Sequence, residues 1–357
     1  MEKHSNIGEM IGNSLFSLLA NVDIRRGEEL RTDAEALGKI CVSPQARYLF
    51  VSDYTVAVDE KSPVFSPRFF TYSEVEQNGI FRETLGNANY LGSVDDLHYF
   101  SCDTTTIVRN LREKALLAGI EAKKLSDGGC RPKTRDRVLH PDTEIWGGLA
   151  WGSIRNLAPE WTPAEAGLAV EAVALNNMWR SARFCAECGA KIEVQNSGWN
   201  GACQRGHLLF PRTDLAVIMA ITDDDDRLLL AHNGNWEQGR YSVVAGFVEA
   251  GETPEAAVRR EVFEETQIRV GEVTYAGSQP WPFPKSLMLG YRGRVAQGAS
   301  TRVIPDGVEI TEAAFFSREE FMVALEERRV MVPGRSSIAY MLISDWAGED
   351  LTRFISW

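Results

Sequence analysis

Twenty-three residues, GFVEAGETPEAAVRREVFEETQI from Gly246 to Ile268, constrain this chain more than any other stretch. Glu261, Glu264 and Glu265 fall at i, i+3 and i+4. On an α-helix those offsets share one face, with Cβ atoms ~5–6 Å apart. Three like charges so close destabilise a helix unless something positive sits among them, and a hard divalent cation with oxygen ligands meets that need. A solvated acidic face is the commoner meaning of clustered glutamate, so the surrounding residues must decide. Thr253 followed by Pro254 predicts the helix start, threonine as cap and proline at the first helical position. A strand-like run follows the segment.

Composition narrows the classes. At 357 residues the chain has room for two or three domains, and 44% hydrophobic content is ordinary for a globular protein. A net charge of −12 with no basic stretch to offset it argues against a generic nucleic-acid or membrane surface. An acidic chain that handles an anionic substrate needs a metal or local arginines. No apolar run approaches the ~18–20 residues of a transmembrane helix. The patch Leu15–Leu19 lacks the basic flank and cleavage site of a signal peptide. Six unevenly spread cysteines do not read as a disulfide framework, and the expected compartment is the cytoplasm.

Residues 1–160 read as an α/β domain without a chemical motif. Arg47–Val58 and Phe69–Tyr72 suggest strands, and Thr104–Ala118 contains a helix. Cys41, Cys102 and Cys130 have no metal spacing. Over 161–181 a connecting helix is expected, with Thr162 and Glu165 as a capping box, Pro163 at the first position, and Leu168, Ala172, Leu175 and Trp179 at helical spacing. The segment 182–211 carries Cys185 and Cys188 as C-x2-C, with Cys203 fifteen positions on and His207 as the one ligand type in reach, giving C-x3-H. Cys3His is a closed structural zinc set. A site that has lost its metal, or a redox pair outside a thioredoxin-like context, are the alternatives.

Beyond Pro211 the pattern is α/β again. Ala216–Ile221 and Arg227–Ala231 flank the acidic turn Asp223–Asp226 as a hairpin, Tyr241–Ala245 feeds the acidic segment, and Arg269–Gln279 and Ser286–Val295 read as strands. Phe321–Leu325 and Ser337–Ile343 read as helices. The run Ser278-Gln279-Pro280-Trp281-Pro282-Phe283-Pro284 holds three prolines, which predicts a stiff extended loop presenting Trp281 and Phe283 and excludes a central strand. No internal repeat is obvious.

The acidic segment resembles the Nudix box, G-x5-E-x7-R-E-U-x-E-E-x-G-U with U aliphatic: Gly246, Glu252, Arg260, Glu261, Val262, Glu264, Glu265 and Ile268 are in register. The second box glycine is replaced by Gln267, where a Cβ in a left-handed helix end costs ~1 kcal/mol. SQPWPFP downstream, the cysteine ribbon upstream, FPRTD and LMLGY make the chain similar to the NADH pyrophosphatase branch, whose members also remove NAD caps from RNA. That resemblance covers about 150–345. It implies an α/β (α+β) Nudix fold, a mixed sheet flanked by helices, at 212–345, with a Nudix-like domain lacking the box at 1–160 and a tail at 346–357.

The resemblance also implies roles. Glu261, Glu264 and Glu265 would hold Mg²⁺ or Mn²⁺ beside a pyrophosphate, joined by Glu312 from a later loop, and Arg260 would pair with Glu252 to brace the box. Phe247 would stack on nicotinamide, Phe210 would pack on a base, and Gln279, Trp281 and Ala339 would line the substrate side. The implied reaction is hydrolysis of NADH or NAD⁺ to nicotinamide mononucleotide and AMP by a homodimer, with NAD-capped RNA as a second substrate. Competing expectations are a Nudix enzyme of ADP-ribose or diadenosine polyphosphates, and a nucleotide sensor without catalysis, which would be expected to have lost a box glutamate.

Overall fold

In a computed structural model, residues 24–117, 144–146 and 148–355 are described. Leu15–Leu19 and Cys130 lie outside them. The chain divides into two compact units, one within 19–212 and 282–285, the other within 213–281 and 286–357.

The first unit is built on a mixed sheet of β1 (Ala46–Ser52), β2 (Thr55–Val58), β3 (Phe69–Phe70), β4 (Asn89–Val94), β5 (Leu97–Asp103), β6 (Glu144–Trp146) and β7 (Leu149–Ser153). Its order is β4-β5-β1-β2-β7-β6, with β3 paired to β1. The core is aromatic: Tyr48, Phe50, Phe70, Phe81, Tyr90 and Trp151 are buried together. Helix α1 (Thr105–Leu117) follows β5. Helix α2 (Pro163–Ser181) starts with the expected capping box, Thr162 and Glu165 each bonding the other's backbone N–H, an arrangement whose threonine alone is worth about 1 kcal/mol. It is more than a connector. Leu168, Ala172 and Leu175 are among its buried residues, and it packs on β1, β4 and β5. Its last turn lends Trp179 to the next element.

That element is a three-stranded antiparallel ribbon, β8 (Ile192–Gln195), β9 (Asn200–Cys203) and β10 (Leu208–Leu209), in the order β10-β9-β8. Its buried core is only Cys185, Ile192 and Cys203. So little apolar burial cannot hold a ribbon alone, which makes a cross-link or metal the expected staple.

In the second unit β11 (Asp214–Thr222), β12 (Leu228–Asn233), β13 (Val244–Phe247), β14 (Val270–Trp281), β15 (Ser286–Val295) and β16 (Ile310–Phe316) form a sheet of order β14-β15-β11-β12-β16, with β13 paired to β11. Strand β11 is parallel to β15 and antiparallel to β12 and β13. Its alternating side chains feed two cores. Val217, Met219 and Ile221 pack with α3 (Pro254–Thr266), while Ile218 and Ala220 face α4 (Arg318–Glu326) and α5 (Ile338–Ala347). The segment after α5 is no free tail, since Leu351 is fully buried and Phe354 and Ile355 pack on that core.

The Asp223–Asp226 turn is held by its first residue: Asp223 is 2% exposed, its carboxylate accepting from the Asp225 and Arg227 backbone N–H groups and the Arg227 guanidinium. And β14 runs on through Pro280 to Trp281, paired with Leu287 and Ser286. Pro280 is tolerated because β14 is an edge strand of this sheet, where a missing N–H forfeits no ladder bond. Phe283 is buried, its ring tilted against Tyr54 and under Arg155, rather than presented to solvent. Among the described residues no helix is long and apolar enough to cross a membrane.

Candidate metal and pyrophosphate site

Helix α3 begins where the sequence places it: Thr253 Oγ1 accepts from Ala256 N at 3.3 Å and Pro254 occupies the first turn. It ends at Gln267, which adopts a left-handed conformation (φ 60°) and returns both its backbone N–H (2.8 Å) and its side-chain Nε2 (3.1 Å) to the Phe263 carbonyl. The side chain thus recovers part of what the missing glycine would supply.

The helix turns Glu261 and Glu265 into a cavity of about 390 Å³, whose lining also includes Gly246, Phe247, Met288 and Glu309. Glu264, on the same face, is largely exposed. Arg260 bridges the cluster to the loop. Its Nε and Nη2 bind the two Glu252 carboxylate oxygens at 2.9 and 2.8 Å, Nη2 also reaches the Phe247 carbonyl at 2.8 Å, and Nη1 lies 2.9 Å from Glu261 and 3.1 Å from Glu264. A bidentate arginine–carboxylate pair fixes geometry as well as charge. It holds the Glu252 carboxyl below the usual carboxylate range.

Gly246 is required by space, not by backbone angle. A Cβ there would lie 2.0–2.4 Å from the Glu261 carboxylate atoms. The strand must be bare at that point for Glu261 to occupy the cavity.

Burial and crowding by like charge oppose ionisation in the cluster. Burial raises Glu261, against the pull of Arg260. Burial first, then the charges of Glu309, Glu261, Asp306 and Glu264, push Glu265 up to about 8. Four carboxylates with one shared guanidinium form an oxygen-rich donor set short of positive charge, which suits a hard divalent cation.

The further carboxylate that lines the cavity is Glu309; Glu312, the residue expected to join the cluster, is not among the lining residues. Glu312 lies opposite His232 in the β12–β16 ladder and accepts a 2.6 Å hydrogen bond from the Tyr241 hydroxyl, on the face of the sheet that packs on α4 and α5. The register shifts between His232 and Asn233, so Asn233 pairs with Ile310 and one residue of β16 is skipped. Past that bulge the chain delivers Glu309 to the cavity. The sequence carried a weak signal for it, the x-D-G-x turn at 305–308 just ahead of Glu309.

Of the expected substrate-side residues, Phe247 is 58% exposed at the cavity rim, and Trp281 is half-buried at the end of β14. Phe210, in the other unit, is 60% exposed. Gln279 and Ala339 are differently placed. Gln279 is 2% exposed, its Nε2 donating to the Ser336 carbonyl at 2.7 Å and its Oε1 accepting from Ile338 N at 2.8 Å, so it clamps the chain entering α5. Ala339 is buried in α5, its N–H given to Ser337 Oγ.

In the ribbon, ligand atoms of Cys185, Cys188, Cys203 and His207 lie within 4.8 Å of one another. Cys188 Sγ and Cys203 Sγ are 3.7 Å apart, and Cys185 Sγ is 3.4 Å from His207 Nδ1. Tetrahedral zinc, with bonds of about 2.3 Å to sulfur and 2.0–2.1 Å to nitrogen, requires edges of about 3.8 and 3.5 Å. The donor set fits. The Cys185 thiol is pushed down to about 7, where burial is outweighed by the Glu187 and Cys188 backbone N–H groups and by His207. His207 Nε2, the nitrogen not turned to sulfur, lies 3.6 Å from Glu187. A histidine held from behind by a carboxylate is the usual second layer of a metal site.

Comparison with known proteins places this geometry. Residues 212–334 match the NUDIX domain family. A Mycobacterium bovis protein named NAD-capped RNA hydrolase NudC is 40% identical over 203 residues, 54% of this chain and 64% of that protein. NAD-capped RNA hydrolase NUDT12 from Pongo abelii is 35% identical over 195 residues, 51% of this chain and 42% of that one. The match thus spans about two-fifths to just under two-thirds of these relatives' lengths. A NUDIX hydrolase structure from Nitrosomonas europaea aligns with 47% of this chain at 18% identity and a TM-score of 0.37.

Proposed function

Residues 212–334 being a NUDIX domain, we propose that this chain hydrolyses the pyrophosphate bond of NADH and NAD⁺ to nicotinamide mononucleotide and AMP, and acts also on NAD-capped RNA 5′ ends. The observation that carries the reading is the cavity in which Glu261, Glu265 and Glu309 converge beneath the exposed ring of Phe247. Relatives named as NAD-capped RNA hydrolases support the choice of dinucleotide.

Glu261, Glu264, Glu265 and Glu309 would hold Mg²⁺ or Mn²⁺. Such ions supply neutralisation of the pyrophosphate charge and of the charge that grows on the leaving phosphate oxygen. Phe247 offers its face to the nicotinamide ring, and Trp281 offers aromatic surface to the remainder of the substrate. Arg260 stays with Glu252 and keeps the box loop rigid, so that the carboxylates are positioned before substrate arrives. A carboxylate oxygen of the cluster takes the proton of the attacking water. Cys185, Cys188, Cys203 and His207 hold a structural zinc, a closed set with no position left for chemistry. A cytoplasmic homodimer is the expected form.

Hydrolysis of NADH, NAD⁺, NAD-capped RNA, ADP-ribose and a diadenosine polyphosphate, followed by mass identification of products, tests the proposal. Nicotinamide mononucleotide as a metal-dependent product supports it. A clear preference for ADP-ribose or the diadenosine substrate overturns the dinucleotide assignment, and binding without turnover of any of them would mark a sensor.

A further inference from the structure

We propose that Asp306 is the positioning residue that holds Glu309 in the carboxylate cluster, an inference that rests on the metal-site reading above. Glu309 belongs to no strand or helix and is exposed at the rim, so its place in the cavity must be fixed by its own backbone. Asp306 fixes it. Its Oδ1 accepts from three successive backbone N–H groups, those of Val308 (2.8 Å), Glu309 (3.1 Å) and Ile310 (2.9 Å). Gly307, at φ 71°, lets the chain reverse beneath that oxygen and closes the turn with a 3.0 Å bond to the Ile310 carbonyl.

The same turn is moored to the helix that carries the other glutamates. Asp306 N donates to the Glu265 carbonyl at 3.2 Å, and Ile304 N to the Thr266 carbonyl at 2.9 Å. On the far side, Gly234 N donates to the Glu309 carbonyl at 3.0 Å and Asn233 Nδ2 lies 3.4 Å from Glu309 Oε1. Asp306 therefore links the backbone of one cluster member, Glu265, to the backbone of another, Glu309. It acts through Glu309 and needs no contact with substrate.

The experiment is direct Mn²⁺ titration of the zinc-replete full-length protein without substrate, by calorimetry. Asp306→Ala is expected to weaken Mn²⁺ about tenfold, the usual range for loss of an outer partner of a ligand. Asp306→Asn keeps the acceptor oxygen and removes the charge, and should stay within about threefold of wild type, since it preserves the same three bonds. In a Glu309→Gln background, Asp306→Ala should add nothing further, because the two residues act in series. Asp306→Ser retains an acceptor on a shorter arm and gives an intermediate loss, a reading that stands if the alanine variant is unstable.

Unchanged Mn²⁺ affinity in Asp306→Ala overturns this inference alone. So does an equal loss in Asp306→Asn, which would make the effect one of charge, and so does an additive loss in the double variant. Wild-type protein that binds no Mn²⁺ overturns the inference together with the metal-site reading. Normal Mn²⁺ behaviour without dinucleotide hydrolysis leaves the inference standing and overturns only the substrate.

Discussion

The two large sheets have the same plan and opposite chemical content. In the first unit the order is β4-β5-β1-β2-β7, with β3 on β1 and β6 added at the β7 edge; in the second it is β14-β15-β11-β12-β16 with β13 on β11. The directions agree as well. Strand β1 is parallel to β5 and antiparallel to β2 and β3, as β11 is parallel to β15 and antiparallel to β12 and β13. Chain order is preserved across the correspondence, so one architecture occurs twice. Among the described residues, the carboxylate cavity belongs to the second copy. Between β13 and β14 lies α3, which carries Glu261, Glu264 and Glu265. Between β3 and β4 lies a short helix, Tyr72–Gln77, where Glu74 serves as the capping-box partner of Thr71. At β13 the bare Gly246 leaves space for Glu261, whereas β3 carries Phe70, buried and stacked on Phe50 at 4.6 Å. The copies therefore differ in side chains and not in plan: one has filled the corresponding region with aromatic core, and the other has kept it open at the expense of crowded, partly buried charge.

The sharpest way to break this contrast is to remove a carboxylate from each copy. Glu265→Gln is expected to lower kcat/KM for NADH by at least about a hundredfold, several kcal/mol of lost charge stabilisation. Glu74→Gln should leave it unchanged within experimental error, with at most a small loss of helix-cap stability. Substantial residual turnover in Glu265→Gln, or a comparable fall in Glu74→Gln, would mean that the first sheet takes part in catalysis.

A bare glycine is the second point of contrast. Gly246→Ala would meet only the far end of the Glu261 side chain, which can swing away. Melting temperature should therefore change little, while metal-dependent kcat/KM falls about tenfold or more, because Glu261 is displaced from the cavity. A large loss of stability with catalysis preserved in the folded fraction would show that Gly246 serves packing instead.

The crowded charge has a pH signature. Glu265 is raised from the ordinary carboxylate value to about 8, by burial and by Glu309, Glu261, Asp306 and Glu264, while Arg260 pairs with Glu261 and Glu264. A raised folded-state pKa means that the folded protein holds a proton that the unfolded chain releases. The stability from this group is complete below about pH 4.5 and is lost as pH rises toward 8. A bound cation relieves the same crowding, so the rise in melting temperature produced by Mg²⁺ should be larger at pH 8 than at pH 6. Equal Mg²⁺ stabilisation at the two pH values would remove charge crowding as the feature that separates the two copies.

Much of the second copy could be read from residues alone, and the reasons are local. Glu261, Glu264 and Glu265 share a face because helix periodicity requires it, and Thr253–Pro254 marks a helix start by short-range bonding. What escaped depends on distant partners. Glu312 rather than Glu309 was expected because a bulge at His232/Asn233 shifts which residue reaches the cavity. The clamp that Gln279 makes on the entry to α5 was not legible because its partners, Ser336 and Ile338, lie nearly sixty residues away. The repetition of the sheet was expected only through the family resemblance, as a Nudix-like domain at 1–160, because it is kept in strand order and direction and not in residue pattern.

The smallest expected effect concerns the end of α3, the element with no counterpart of similar length in the first copy. Gln267 sits at φ 60°, a conformation that costs an L-residue roughly 1–2 kcal/mol and glycine almost nothing. Against that gain, Gln267→Gly loses the Nε2 bond to the Phe263 carbonyl, worth about 1 kcal/mol or less at an exposed site, and adds freedom to the unfolded chain. The balance favours glycine by a few tenths of a kcal/mol up to about 0.5 kcal/mol. Urea unfolding of the variant should show a slightly higher midpoint at unchanged slope, with metal-dependent activity unaltered because no carboxylate moves. A clearly lower midpoint would mean that the glutamine side-chain bond outweighs the strain, and that this chain has replaced the helix-ending glycine with a cap of equal or greater strength.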